Sequence, residues 1–172
     1  MIKKKQYSYQ IILFALFLVL TVSRLIPHPP NFTPIIACSV VGCFIAKNIK
    51  IRLMFIISSL VFSDFIIGFH DLSIFTYILI SILAAASNTK NYKYMALISP
   101  LVFYFFSNFL VWLTSGMYNL NLSGLISCYV LAIPFFGYSL LSTIFYSILF
   151  LYFFEKREFT NLKETISNKC LN

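Results

Sequence analysis

Asp64, Gly68 and Asp71 stand at i, i+4 and i+7, with His70 beside them. Asn108, Trp112 and Ser115 repeat that spacing later in the chain, with Ser107 next to Asn108. Helical geometry puts each set on one face. Both sets lie in or at the end of apolar runs, where an ionisable group is rare and usually faces a bundle interior or a water-filled cavity. A carboxylate in that setting can hold a proton, a cation or a hydrogen-bonding ligand, and an amide can bond a ligand or a neighbouring helix. Arg24, His28, Asn31 and Thr33 form a third polar group after the first apolar run, and Cys128 and Tyr129 open the last one. Guanidinium and imidazolium groups grip carboxylate or phosphate. Asp64 and Asp71 add the opposite sign, so the combined set suits a small ligand with an anionic group and a donor or cationic group.

Each of these residues has a plainer role open to it. Trp112, Tyr118 and Tyr129 suit an interfacial aromatic belt, Gly68 the close approach of two helices, and Asn108 a helix-to-helix hydrogen bond. His28 and His70 suit solvated loops. Asp64 is the residue for which a functional role outweighs the plain one, because an ionisable group within a span is so costly.

The elements that must position these groups follow from composition. The chain has 172 residues, of which 60% are hydrophobic, 19% aromatic and only 10% charged. Soluble domains are about 25% charged, so an ordinary soluble domain is excluded. Apolar segments run from about Ser8 to Ile26, Phe32 to Ala46, Leu53 to Phe69, Ile74 to Ser87, Met95 to Leu113 and Leu125 to Phe154. Crossing about 30 Å of hydrocarbon takes about 20 helical residues, so six spans occupy about 120 positions and leave no room for an appended catalytic or nucleotide-binding domain. The expected fold is all-α: a polytopic integral membrane protein, a bundle of six transmembrane helices over residues 8–154. An N-terminus at residues 1–7 and a C-terminal tail at residues 155–172 flank it. Pro134 should kink or tilt the long last helix, which should continue into the charged tail.

The net charge of +8 would raise the question of nucleic acid in a soluble chain, but its distribution points elsewhere. Lys3, Lys4 and Lys5, then Lys47, Lys50 and Arg52, then Lys90 and Lys93, then Lys156, Arg157, Lys163 and Lys169 fall in the first, third, fifth and last connecting regions. Arg24 alone of the 13 basic residues lies elsewhere. Basic residues collect on the cytoplasmic side of membranes. Six spans in the cell's inner membrane, with both termini cytoplasmic, put all four clusters there, where they also meet anionic lipid. The segments from Phe32 to Ala46 and from Ile74 to Ser87 are short enough to be re-entrant. Removing either one alone would invert every later loop and abolish the charge asymmetry. Lys3 to Lys5 followed by Ile11 to Val22 resembles a signal peptide, but the apolar run is long and the small-residue site at Thr21 to Ser23 is poor.

With this orientation Arg24, His28, Asn31, Thr33, Asp64, Gly68, His70, Asp71, Asn108, Trp112 and Tyr129 all fall in the outer half of the protein, as one site open to the exterior would. The stretch Pro27-His28-Pro29-Pro30-Asn31-Phe32-Thr33-Pro34 cannot start helical, yet Thr33 suits an N-cap and Pro34 the first helical position. Three helix N-termini, near Thr33, Ser73 and Ser123, then face outwards with the positive ends of their dipoles. The cysteines Cys38, Cys43, Cys128 and Cys170 show no metal-ligand spacing and read as free thiols. No metal or cofactor site is expected, and no nucleophile stands at a fixed helical spacing from a base.

Arg24, Pro27 to Ile35, Ala37, Asp64, Gly68, Ser107-Asn108-Phe109, Val111-Trp112, Tyr118, Gly124-Leu125, Cys128-Tyr129 and Ala132 to Phe136 together resemble DUF6580, a group of membrane transport proteins. That group in turn is similar to the substrate-binding S components of energy-coupling-factor (ECF) vitamin transporters. The resemblance runs from Arg24 to about Phe154. It implies an S-component-like six-helix bundle that binds a vitamin-like micronutrient near the outer face, with external loops as a lid. It also implies a separate membrane scaffold subunit and ATPases of an energy-coupling module as partners, since this chain has no Walker motif. S components often carry a small-xxx-small pattern on the first helix, whereas Ala15 here has Ile11 and Val19 four residues away, and Gly42 stands alone where a glycine pair would be expected.

The function expected is therefore the substrate-binding or permease subunit for uptake of a small micronutrient, not an enzyme. The first loop and second span would take its anionic part through Arg24 and His28, and Asp64, Asn108 and Trp112 would line the wall. The alternative is a non-catalytic membrane scaffold organising envelope enzymes, with the same polar residues as interhelical glue.

Overall fold

A computed structural model describes the backbone of residues 2–170 and the side chains of residues 10–154. It is all-α, with six helices and no strand among the described residues: α1 (Ile2–Leu25), α2 (Ile35–Ile45), α3 (Ile49–Ile67), α4 (Ser73–Ala86), α5 (Tyr92–Thr114) and α6 (Leu122–Cys170). Each coincides with one apolar segment of the sequence. The side chains of Lys3 to Lys5, of the basic tail residues and of Cys170 lie outside the described residues.

The helices are far from equal. α5 and the segment Leu122–Phe154 of α6 are long and apolar enough to cross a membrane. Much of their apolar surface, including Phe105, Phe106, Leu131 and Ile133, is exposed, which points to membrane association, because soluble monomers rarely expose contiguous apolar patches of this kind. Gln10–Leu25, Ile35–Ile45 and Ser73–Ala86 are apolar but shorter, and α3 carries Lys50, Arg52 and Asp64. At 1.5 Å per residue, α2 is about 16 Å long where α5 is about 34 Å.

α2 is also the centre of the molecule. Every one of its residues except Phe44 is buried, and it packs against α3, α4, α5 and α6. An all-apolar helix is stable only when covered on every side, and Ile56, Leu60, Ile80 and Phe150 from α3, α4 and α6 share one core with Val40 and Val41 of α2. α1 packs on α3, and α5 on α6. Pro100 lies buried inside α5, and Pro134 lies exposed inside α6. Each removes a backbone donor from its helix.

Arg52 departs from its expected place in a surface basic cluster. It is buried at 5% exposure, and its Nη1 donates to the Ser87 carbonyl at 3.3 Å. Its stem lies against Gly42, where an added Cβ would meet Arg52 Cδ at 3.1 Å. A cation at the C-terminal ends of α2 and α4 meets the negative ends of both dipoles. The lone Gly42 is the gap that admits it.

Candidate functional site

The connection between α1 and α2 is built around one tight turn. Phe32 N–H donates to the Pro29 carbonyl at 3.0 Å, and Asn31 takes a φ of 63°, a left-handed conformation that asparagine tolerates better than most residues. The turn is tied to α6 through Ser142 Oγ, which donates to the Asn31 carbonyl at 3.4 Å, and through Phe32, whose ring lies 5.9 Å from that of Tyr146. Thr33 does not cap α2. The helix begins at Ile35 after Pro34, without a side-chain cap, and the turn delivers Thr33 to the wall of a cavity instead.

That cavity, of about 410 Å³, lies over the N-terminal end of α2 and is lined from all six helices. The short central helix leaves the room, and the longer helices around it supply the walls. Among the sequence-predicted residues it gathers Arg24 from the end of α1, His28, Asn31 and Thr33 from the α1–α2 connection, His70 from the α3–α4 connection, and Asn108 from α5. The positive N-terminal ends of α2 and α4 also border it, at Ile35 and Leu72. The expected third end, that of α6, does not, because α6 meets the cavity further along, at Phe135, Phe136 and Ser139.

Asp64 stands just behind the wall and not in it. At 2% side-chain exposure it forms an ion pair with Nη2 of Arg24 through Oδ1, and it accepts the Tyr77 hydroxyl on Oδ2. Arg24, at 17% exposure, also donates from Nη1 to Ser63 Oγ and, at 3.1 Å, to the Leu60 carbonyl. Three helices are thereby joined, α1 to α3 and α3 to α4. It is the one salt bridge among the described residues. Because the pair is internally neutral, Arg24 does not present an uncompensated positive charge to the cavity.

Gly68, Asp71, Trp112 and Tyr129 do not line the cavity. Gly68 ends α3 at a φ of 110°, its N–H returning to the Asp64 carbonyl at 2.8 Å. A Cβ there would meet nothing within 4 Å, so helix approach is not what requires glycine. Asp71 is exposed in the turn before α4. Trp112 Nε1 donates to the Asn119 carbonyl at 3.0 Å and so fixes the α5–α6 connection. Tyr129 stacks near Tyr104, with ring centroids 5.6 Å apart, and donates to the Phe105 carbonyl at 2.8 Å. It supports the wall from behind.

The cavity residues that sequence reasoning missed are chiefly Tyr104 and Val111, which with Ser107 and Asn108 make the i, i+3, i+4, i+7 face of α5, together with Phe103 and Thr76. Tyr104 Oη donates to the Tyr129 carbonyl at 2.7 Å, and Asn108 Nδ2 donates to the Tyr104 carbonyl at 2.8 Å. The signal was present: the face is the stripe through Asn108 traced towards the N-terminus, whereas the spacing through Trp112 and Ser115 follows it the other way. The wall is therefore half aromatic and aliphatic and half hydroxyl, amide and imidazole. Such a lining can hold a flat organic ring and orient its polar edge.

No curated protein and no solved structure matches the chain. Residues 4–163 match a family of unknown function, DUF6580. The match takes in every helix that lines the cavity, and the chain belongs to that family.

Proposed function

We propose that the chain is a six-span protein of the cell's inner membrane that binds a small vitamin-like organic ligand in the cavity over α2 and serves its uptake, as a substrate-binding or permease subunit. The observation that carries this reading is the cavity itself. Its volume of about 410 Å³ falls in the range of small-molecule sites, which are mostly apolar with a few convergent polar groups. Three supports are added to it. α5 and the apolar part of α6 are long enough to cross a membrane, the basic residues are segregated as the positive-inside rule requires, and non-helical backbone such as the Pro29–Phe32 turn is tolerated at membrane depth where it lines a cavity. With the basic ends and both termini in the cytoplasm, the cavity opens towards the outer side.

A scaffold and ATPases of an energy-coupling module remain the partners proposed by similarity to S components. The competing scaffold reading draws on one observation, the Arg24–Asp64–Tyr77 network that links three helices. Thermal unfolding of the purified chain with a panel of vitamins separates the two readings. A true ligand at about 100 times its Kd stabilises by about 2.7 kcal/mol, and a flat response across the panel removes the binding reading. In cells expressing the chain, Asn108→Ala, which leaves the Arg24–Asp64 pair intact and changes the cavity wall, is expected to weaken uptake of that ligand with expression retained, whereas a scaffold shows no dependence on substrate.

A further inference from the structure

Arg24 serves two places at once. The residue lines the cavity, and its guanidinium neutralises Asp64, which does not line the cavity and is nearly inaccessible. Among the described residues, neither lysine nor a second arginine lines the cavity. An anion entering it therefore has one permanent cation to bind, and that cation is already engaged. Adding one negative charge to a neutral buried pair leaves a net charge in a low-dielectric site, which is costly. Carrying one proton in with the anion restores neutrality. A carboxylate matches this arithmetic and a single guanidinium fork, whereas a doubly charged phosphate does not. The aromatic side chains Phe103, Tyr104, Phe135 and Phe136 supply the faces for a ring.

Resting on the ligand-binding reading above, we infer that the cavity takes a small aromatic carboxylate whose carboxyl replaces Asp64 at the Arg24 guanidinium, with one proton taken up from solution onto Asp64. The balance is simple. The ion pair between Arg24 Nη2 and Asp64 Oδ1 breaks, the ligand carboxylate takes Nη2, and Oδ1 gains a proton from a solvent acid while Arg24 stays a cation. Asp64 deprived of its cation would otherwise be an uncompensated buried carboxylate, and such groups neutralise instead. The groups facing Asp64 are Arg24 from α1 and Tyr77 from α4. His28, His70 and Tyr104 share the cavity with Arg24, and Asp71 follows His70 in an exposed turn.

Binding of benzoate and of its neutral isostere benzamide to the full chain in detergent, from about pH 6 to about pH 8, tests this, with inorganic phosphate as a third arm. Uptake of one proton makes benzoate affinity rise about tenfold for each unit that the pH falls, while benzamide binding stays flat. Calorimetry in buffers of different ionisation enthalpy should count one proton per benzoate. Asp64→Asn removes the competing charge and the proton acceptor, so benzoate should bind without pH dependence. Tyr77→Phe keeps the Arg24–Asp64 pair and should keep the slope with tighter benzoate binding at pH 7, which guards against misfolding of the first variant. The slope should also survive the His28→Gln, His70→Gln double variant. The inference is overturned if wild-type benzoate binding carries no proton, if the slope survives Asp64→Asn or vanishes in the histidine variant, or if benzamide or phosphate binds and benzoate does not. Failure of all three probes to bind overturns the aromatic-carboxylate inference and leaves the ligand-binding reading to the vitamin panel, and benzamide binding alone likewise overturns only the proton-linked carboxylate.

Discussion

Arg24 and Asp64 illustrate how little a polar residue type says until its partner is known. Each alone is an expensive occupant of an apolar segment. Paired, they cancel their charges, and the Tyr77 hydroxyl and the Leu60 carbonyl take up remaining bonding capacity. Truncating one partner of a buried pair leaves the other uncompensated, at a cost of about 3–5 kcal/mol, whereas replacing both with apolar groups is often near neutral. Asp64→Leu should therefore lower the melting temperature sharply, and the double variant Asp64→Leu, Arg24→Met should recover most of the loss. Thermal unfolding of the purified variants checks this, and a double variant no more stable than Asp64→Leu would show that the pair is not what makes the single change costly. The double variant should also abolish ligand-induced stabilisation, because it removes Arg24 from the cavity wall.

At the scale of the elements, glycines mark where the backbone was constrained and where it was not. Gly68 ends α3 with a φ of 110°, a conformation that costs a residue with a Cβ about 1 kcal/mol or more. Gly137 sits inside α6 with open space around a would-be Cβ, where alanine is preferred by about 0.5–1 kcal/mol. Gly68→Ala should thus destabilise and Gly137→Ala should be neutral or stabilising, as thermal unfolding can compare directly. Gly124 is the third case. An added Cβ would collide with the Asn119 carbonyl group, the same group that accepts the Trp112 indole N–H. Gly124→Ala is expected to displace the α5–α6 connection at a cost of about 1–3 kcal/mol, seen as a change in Trp112 fluorescence, since this is the protein's single tryptophan.

For the whole molecule, the distinctive feature is a short helix enclosed by longer ones. Because α2 is buried on all sides and α5 is about twice its length, space is left over its N-terminal end, and that space is the cavity. The same arrangement puts the connections at Lys47 and Lys90 at one end, where Arg52 bonds the Ser87 carbonyl. The turns at Asn31 and His70 meet at the other, around the cavity. Single cysteines substituted at Lys47 and Lys90 in a cysteine-free chain should be labelled by membrane-impermeant maleimide only from the cytoplasmic side. Cysteines at Asp71 and Met117 should react only from outside. Labelling of Lys47 and Asp71 positions from the same face would refute the six-span topology and the outward-facing cavity together.

The sequence by itself determined the helical class, the order of six apolar elements and the polar exceptions within them, since composition and hydrophobic runs are local properties. It also singled out six of the residues that meet in the cavity, Arg24, His28, Asn31, Thr33, His70 and Asn108. What it could not contain was rotation and depth. Whether α5 turns Tyr104, Ser107, Asn108 and Val111 inward, or instead Trp112 and Ser115, depends on how α6 packs against it. Whether Arg52 sits at a surface or fills the gap at Gly42 depends on where α2 and α4 end. That Asp64 neutralises Arg24 behind the wall instead of facing a ligand is a distance between helices 40 residues apart in sequence, and only packing in three dimensions sets such a distance.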